Sequence, residues 1–254
     1  MDDTPRPILE HLEELRRRLF WVFGVWAVAS MVASYFSKDL FEILMAPAVD
    51  AVRASGNTLI AVAPSELFMT YLKTALLAGF MVAMPVALWQ LWAFVAPGLY
   101  ENERRFALPF VVSTSSLFGL GCAFGYFFAF PVMFEYFVSL EAEFVHTAWT
   151  TQAVFSFCSS MYLAFGLAFQ LPIVLVALAL AGVVTPQWLA TQRKYAILLA
   201  FVVGAILTPP DATSQIMLSV PLCLLYELSI WVSRLLVRNP APTRSLTVAG
   251  EQDG

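Results

Sequence analysis

Ala153–Ala181 reads AVFSFCSSMYLAFGLAFQLPIVLVALALA, an apolar run without a single Asp, Glu, Lys or Arg. A helix needs about 20 such residues to cross the hydrocarbon of a bilayer, and this run is longer than that. Working outward, five further apolar runs occur, each bounded by polar or turn residues. They are Leu19–Ser37, Tyr71–Ala96 and Phe106–Phe134 before it, and Tyr195–Thr208 and Gln215–Val237 after it. Composition agrees: 60% of the 254 residues are apolar and 13% charged, against roughly 45–50% and 25% in an ordinary soluble domain. One globular core cannot hide that much apolar surface. The expected fold is all-α: a polytopic membrane protein with six transmembrane helices in a kinked, concave bundle. Residues 1–238 form the membrane domain, with approximate spans 19–37, 71–96, 106–134, 153–181, 195–208 and 215–237, and 239–254 read as a disordered cytoplasmic tail.

The fifth run is short. From Tyr195 to Leu207 it covers only about 20 Å at the helical rise, and the Thr208-Pro209-Pro210-Asp211 turn follows it. Runs five and six therefore read as a short hairpin that thins the membrane locally or tucks behind longer helices. Orientation comes from the basic flanks. Arg6, Arg16, Arg17, Arg18, Arg104, Arg105, Arg193, Lys194, Arg234, Arg238 and Arg244 fall on one side, against Lys38, Arg53 and Lys73 on the other. That bias places both termini in the cytoplasm. Arg17-Arg18-Leu19-Phe20 before an apolar run imitates a twin-arginine export signal. The run exceeds a signal core and five more follow, so it reads as the basic flank of a retained first span.

Of the two outer loops, Lys38 to Glu66 carries Leu40, Phe41, Ile43 and Leu44, then a Ser55-Gly56-Asn57 turn, which suggests a short surface helix and a structured cap. Pro47 lies in this segment as a structural position. The second loop, Glu135 to Gln152, holds Glu135, Glu141 and Glu143 and no Lys or Arg. Prolines Pro85, Pro131, Pro172 and Pro221 sit inside runs two, three, four and six, where each removes a backbone hydrogen bond and kinks its helix. Gly121 and Gly125 form a GxxxG, a close helix contact.

Charge is sparse enough to be informative. Ile8, Leu12, Leu15 and Leu19 share one helical face and the other faces carry Glu10, Glu13, Glu14, Arg16, Arg17 and Arg18. This is an amphipathic helix entering the membrane from its cytoplasmic surface. Glu13 and Glu14 each have an arginine four residues on, and such exposed pairs are worth a few tenths of a kcal/mol. They could therefore be given up to a better partner. The short loop Pro97-Gly98-Leu99-Tyr100-Glu101-Asn102-Glu103-Arg104-Arg105 lies on the same side. Glu103 there is either a solvated loop charge or, with Glu14, half of a rim that accepts guanidinium groups. Inside the spans, Glu227 and Gln170 are either a buried polar patch or proton-sensitive site, or two side chains with one interhelical bond each.

Other chemistries are poorly represented. The formal net charge of -4 offers no basic face for nucleic acid. Cys122, Cys158 and Cys223 form no CxxC, and two histidines make a histidine-rich metal site unexpected. There is no phosphate loop, HExxH or GxSxG, so neither enzyme nor cofactor is expected. The absence of an internal repeat weighs against a transporter built from inverted halves.

Several stretches together resemble the TatC family, the multispanning receptor subunit of the twin-arginine protein translocase. They are His11-Leu12-Glu13-Glu14-Leu15-Arg16, Gln90-Leu91-Trp92-Ala93-Phe94-Val95-Ala96-Pro97-Gly98-Leu99, Glu103-Arg104-Arg105, Leu207-Thr208-Pro209-Pro210-Asp211, Gln215, and Pro221 through Glu227. The resemblance runs from about Ile8 to Arg238. It implies a multi-pass protein of the cell inner membrane that binds the paired arginines of signal peptides on folded cargo through Glu14 and Glu103, with Phe94 beside the second. The apolar part of the signal would lie in the concave groove. Thr208 and Gln215 match the polar positions where single-span partners of the TatA/TatB type are recruited, with transport driven by the proton motive force. A homo-oligomer within a larger complex is implied too. Asp211, Glu227, Pro47, Pro85, Pro172 and Pro221 fall at structural or intramembrane polar positions. Many relatives have a glutamate where this chain has Gln170, and an amide cannot exchange protons there. The competing expectation is a proton-coupled small-solute transporter centred on Glu227 and Gln170.

Overall fold

The computed structural model describes residues 8–95, 104–141, 147–208 and 210–237. Every regular element among them is helical: α1 (Ile8–Tyr35), α2 (Ser37–Ala54), α3 (Pro64–Val95), α4 (Arg104–Phe124), α5 (Phe130–Ser139), α6 (Thr151–Ala168), α7 (Leu171–Leu180), α8 (Pro186–Thr191), α9 (Arg193–Leu207) and α10 (Ala212–Leu236). The amphipathic segment and the first span are one continuous helix, since nothing between Ile8 and Tyr35 interrupts it.

Five helical segments are long and apolar enough to cross a bilayer: Leu12–Tyr35, Pro64–Phe94, Pro109–Ser139, Thr151–Leu180 and Ala212–Leu236. Of the six expected spans, the fifth in chain order does not meet this length. The run Tyr195–Thr208 forms α9, but this helix has only 15 residues. At 1.5 Å per residue it spans about 22 Å, short of the roughly 30 Å hydrocarbon. The chain is an all-α polytopic membrane protein.

The prolines act in two ways. At Pro131 the third run passes through a π-helical turn, Gly125–Ala129, that absorbs the missing hydrogen bond before α5 begins. At Pro172 the fourth run breaks outright, with Phe169 and Gln170 separating α6 from α7. Pro47, Pro85 and Pro221 lie within α2, α3 and α10, which continue through them.

The GxxxG expectation is met by close packing of α4 on α6. A Cβ on Gly121 would stand 2.5 Å from the Phe165 carbonyl oxygen, and one on Gly125 would stand 3.0 Å from the Phe165 ring. Phe130, Phe134, Tyr162 and Phe165 are fully or almost fully buried and form the core with Met45 and Val52 of α2. The Tyr162 hydroxyl donates to the Leu44 carbonyl at 2.7 Å, fastening the surface helix to that core.

The two outer loops meet and form the expected cap. Ile60 and Thr150 make a single parallel bridge. Glu66 accepts from the Val62 and Gln152 amides at 2.7 and 2.9 Å. Glu141 accepts from Trp149 Nε1 at 2.8 Å and from Asn57 Nδ2 at 3.0 Å. The Trp149 indole, with Asn57 and Thr147, holds the Glu141 carboxyl below its usual range.

Candidate functional site

α1 and α3 make the most extensive helix contact, and they run antiparallel. Gly79 lets α3 approach Ser30 closely. Trp26 Nε1 donates to the Leu76 carbonyl at 3.0 Å. Toward the other end of the pair, Arg18 of α1 reaches Gln90 of α3. Its Nη2 and Nε donate to Glu14 Oε1 at 2.6 and 3.1 Å, and its Nη1 donates to Gln90 Oε1 at 3.0 Å. Both members of the ion pair are about one fifth exposed (22% and 21%), so the guanidinium is only partly wet. Of the two i,i+4 pairs expected on α1, this one forms, whereas Glu13 and Arg17 do not pair.

Phe94 is half-buried four residues beyond Gln90, hence on the same side of α3. Glu103 and the loop that carries it lie outside the described residues. Between Gln90 and Phe94, Trp92 stacks on Phe110 of α4, with ring centroids 3.9 Å apart and planes at 23°. Those rings line an apolar groove of about 580 Å³. Leu117 of α4, Ile173 and Leu180 of α7, and Leu228 of α10 line its walls. Pro109 and Pro172 also face it, so the interruption at Pro172 shapes its wall. A guanidinium-binding carboxylate and an apolar trough thus lie near the same end of α3.

Gln170 and Glu227 do not form one polar patch, because they have different partners. Gln170 is 9% exposed and its Nε2 donates to the Thr114 carbonyl at 3.0 Å. Its Oε1 is buried without a protein partner. Glu227 accepts from Arg193 Nε at 2.6 Å and Nη2 at 2.9 Å, and both side chains are more than a third exposed. Each side chain thus has its own interhelical partner, and for Glu227 the reason is geometric. The short α9 rises about 21 Å from Arg193 to Leu207, and α10 rises about 22 Å from Ala212 to Glu227. The start of α9 thus stands level with Glu227, and a residue of the basic flank reaches it.

The same hairpin meets several of its polar groups from within. Thr208 is buried and donates to the Gly204 carbonyl at 2.9 Å. Gln215 is half-buried and its Nε2 donates to the Phe201 carbonyl at 3.1 Å; Ser219 does the same to Ala200 at 3.1 Å. Asp211 caps α10 by accepting from the Ser214 amide at 2.7 Å. Gln90, Arg193 and Ser219 are contributors that sequence reasoning left without a structural role. Gln90 stood inside a quoted motif, but only the fold shows which side chain it meets. Among the described residues no three His, Cys, Asp or Glu side chains gather as a metal-ligating group.

Comparison with known proteins gives a consistent result. Residues 10–221 match the family model described as Sec-independent protein translocase protein (TatC). A relative of that name from Desulforapulum autotrophicum is 41% identical over 92% of this chain and 86% of its own length. One from Escherichia coli is 36% identical over 93% and 91%. A crystal structure of the twin-arginine translocase receptor TatC superposes with a TM-score of 0.78 at 39% identity, covering 89% of this chain and 98% of that one. A second, in the detergent DDM, gives 0.79 over 88% and 99%. With matches of this length and identity, the chain belongs to the TatC family of Sec-independent protein translocase proteins.

Proposed function

We propose that this chain, as the receptor subunit of the twin-arginine translocase in the inner membrane, recognises signal peptides of folded cargo at the rim formed by Glu14 and Glu103. One observation carries the reading. The Glu14 carboxylate already holds a guanidinium at 2.6 Å, near an apolar groove. Arginine presents a planar, permanently charged fork, and a carboxylate pair can prefer two of them over the point charges of lysine. The apolar part of the signal then runs along the groove past Trp92 and Phe110, with Phe94 beside Glu103.

In this arrangement both termini face the cytoplasm. The crossings are α1, α3, α4 with α5, α6 with α7, the short α9, and α10, with residues 1–238 as the membrane domain and 239–254 as a tail. Single-span TatA/TatB-type partners dock at the α9–α10 hairpin around Thr208 and Gln215, and the assembly contains further copies of the chain. Transport draws on the proton motive force, and the chain performs no covalent chemistry. A solute transporter centred on Glu227 and Gln170 is disfavoured, since the first is held by Arg193 and the second by Thr114.

The test is site-specific crosslinking of the intact protein to a twin-arginine peptide. Glu14→Ala and Glu103→Ala should each lower the yield severalfold while insertion into the membrane stays normal. Undiminished crosslinking in both variants would remove the assigned roles.

A further inference from the structure

The carboxylate assigned to an incoming arginine is already occupied by one of the chain's own. Arg18 directs two nitrogens at Glu14 Oε1 and a third at Gln90 Oε1. An exposed pair four residues apart on a helix is ordinarily loose, because holding two long side chains in one geometry costs entropy. Here the guanidinium is tethered from a second helix, 72 residues on in the chain, and the pair is only about one fifth exposed. Arg18 also belongs to an Arg17-Arg18 pair followed by an apolar run, so its surroundings share the chemistry of the ligand.

We propose that Arg18 is an internal competitor for the signal peptide: it fills the Glu14 position at rest and must be displaced before an external arginine can bind. The proposal rests on the reading of Glu14 given above. Gln90 gives the displaced side chain a place to remain. When Glu14 is taken by the ligand, Arg18 loses two hydrogen bonds but can keep the one from Nη1 to Gln90. Release therefore does not leave the guanidinium without an acceptor.

The thermodynamics set the expected size. A ligand whose site is free for only a fraction of the time binds more weakly by that fraction. For a pair of this class the penalty corresponds to roughly twofold to fivefold in affinity. It is subtracted equally from every ligand that uses Glu14. Arg18 therefore sets a threshold that weak ligands fail to reach, but leaves the ratio between two competing ligands unchanged.

The experiment uses the full chain in lipid nanodiscs, with fluorescent synthetic peptides carrying Arg-Arg or Lys-Lys before an apolar segment. Arg18→Gln should tighten both peptides by the same factor, about twofold to fivefold. Arg18→Lys, which keeps the charge without the fork, should give a smaller gain. Arg17→Gln removes the same formal charge from an exposed neighbour that does not touch Glu14, and should gain less than Arg18→Gln. Equal gains at positions 17 and 18 would reduce the effect to bulk charge and overturn the proposal. Weaker binding in Arg18→Gln would make the residue a positioning group and also overturn it. Glu14→Gln separates the two layers. If it loses affinity while Arg18→Gln gains none, only the competitor fails; if it binds as before, the recognition reading fails and the competitor with it.

Discussion

Replacing Gly121 by alanine tests the claim that α4 and α6 approach so closely that one methyl group forces them apart. The new Cβ would stand 2.5 Å from the Phe165 carbonyl oxygen, 2.9 Å from its carbon and 3.1 Å from Gly166 Cα. All three obstacles are backbone atoms, so no side-chain rotation relieves the clash. The helices must separate by about 0.9 Å to restore ordinary contact near 3.4 Å. Overpacking of this kind costs about 1–3 kcal/mol, and alanine returns up to about 1 kcal/mol through its better helix propensity. With that gain taken in full, the net loss is up to about 2 kcal/mol, a fall in Tm of up to roughly 8 °C for a chain of this size. Gly119→Ala is the internal control, because its Cβ meets nothing within 4 Å and keeps only the propensity gain. Thermal unfolding in detergent, followed by tryptophan fluorescence, reads both. Equal shifts for the two variants would refute the close approach.

Tyr162→Phe removes the hydrogen bond that its hydroxyl now donates to the Leu44 carbonyl at 2.7 Å. It should cost about 1–2 kcal/mol, measured as a lower Tm. The cap should loosen in acid. Glu141 has a folded pKa below its ordinary value of 4.5, so its contribution is present above that pH and lost as pH falls through the lower folded value. Hydrogen-exchange protection at Ile60 and Thr151 should therefore decline on acidification. Glu141→Gln should lower that protection at neutral pH and flatten its pH dependence. Lengthening α9 by four leucines near its middle should impair recruitment of single-span partners, scored by co-purification. Normal recovery with the longer helix would argue against membrane thinning as the device.

Much of this fold was legible because the hydrophobic pattern dominates it. Helix positions and the glycine seam at Gly121 and Gly125 follow from local rules that need no partner. The Glu14–Arg18 pair was legible for the same reason, being set by helical spacing alone. The proline rule marks Pro85 and Pro221 alongside Pro131 and Pro172, whereas only the last two interrupt their helices. What escaped was depth and distant pairing. Glu227 reads as buried when its run is taken alone, because only the length of α9 reveals that Arg193 stands beside it. Gln90 needed the antiparallel packing of α1 on α3 before its partner could be named. Thr208 and Gln215 read as contacts for partner helices, and only the fold shows that a tight hairpin also offers their donors backbone carbonyls. Glu103 rests on the family resemblance, and its loop lies outside the described residues.

The pairing of helices has a consequence for how the molecule is made. Apart from the surface helix α2, α3 is the next element after α1, and it is also the main neighbour of α1. α4 packs on α3 and α6, and α10 closes on α7 and α9. A nascent chain entering the bilayer from its amino end thus meets a lasting partner for each helix within a few elements of synthesis. α1 is the one that waits alone in lipid. It tolerates the wait, since only 6% of the residues in its apolar window are buried even in the finished molecule. Biogenesis can therefore follow the order of translation, with little apolar backbone surface left searching for a late-arriving mate.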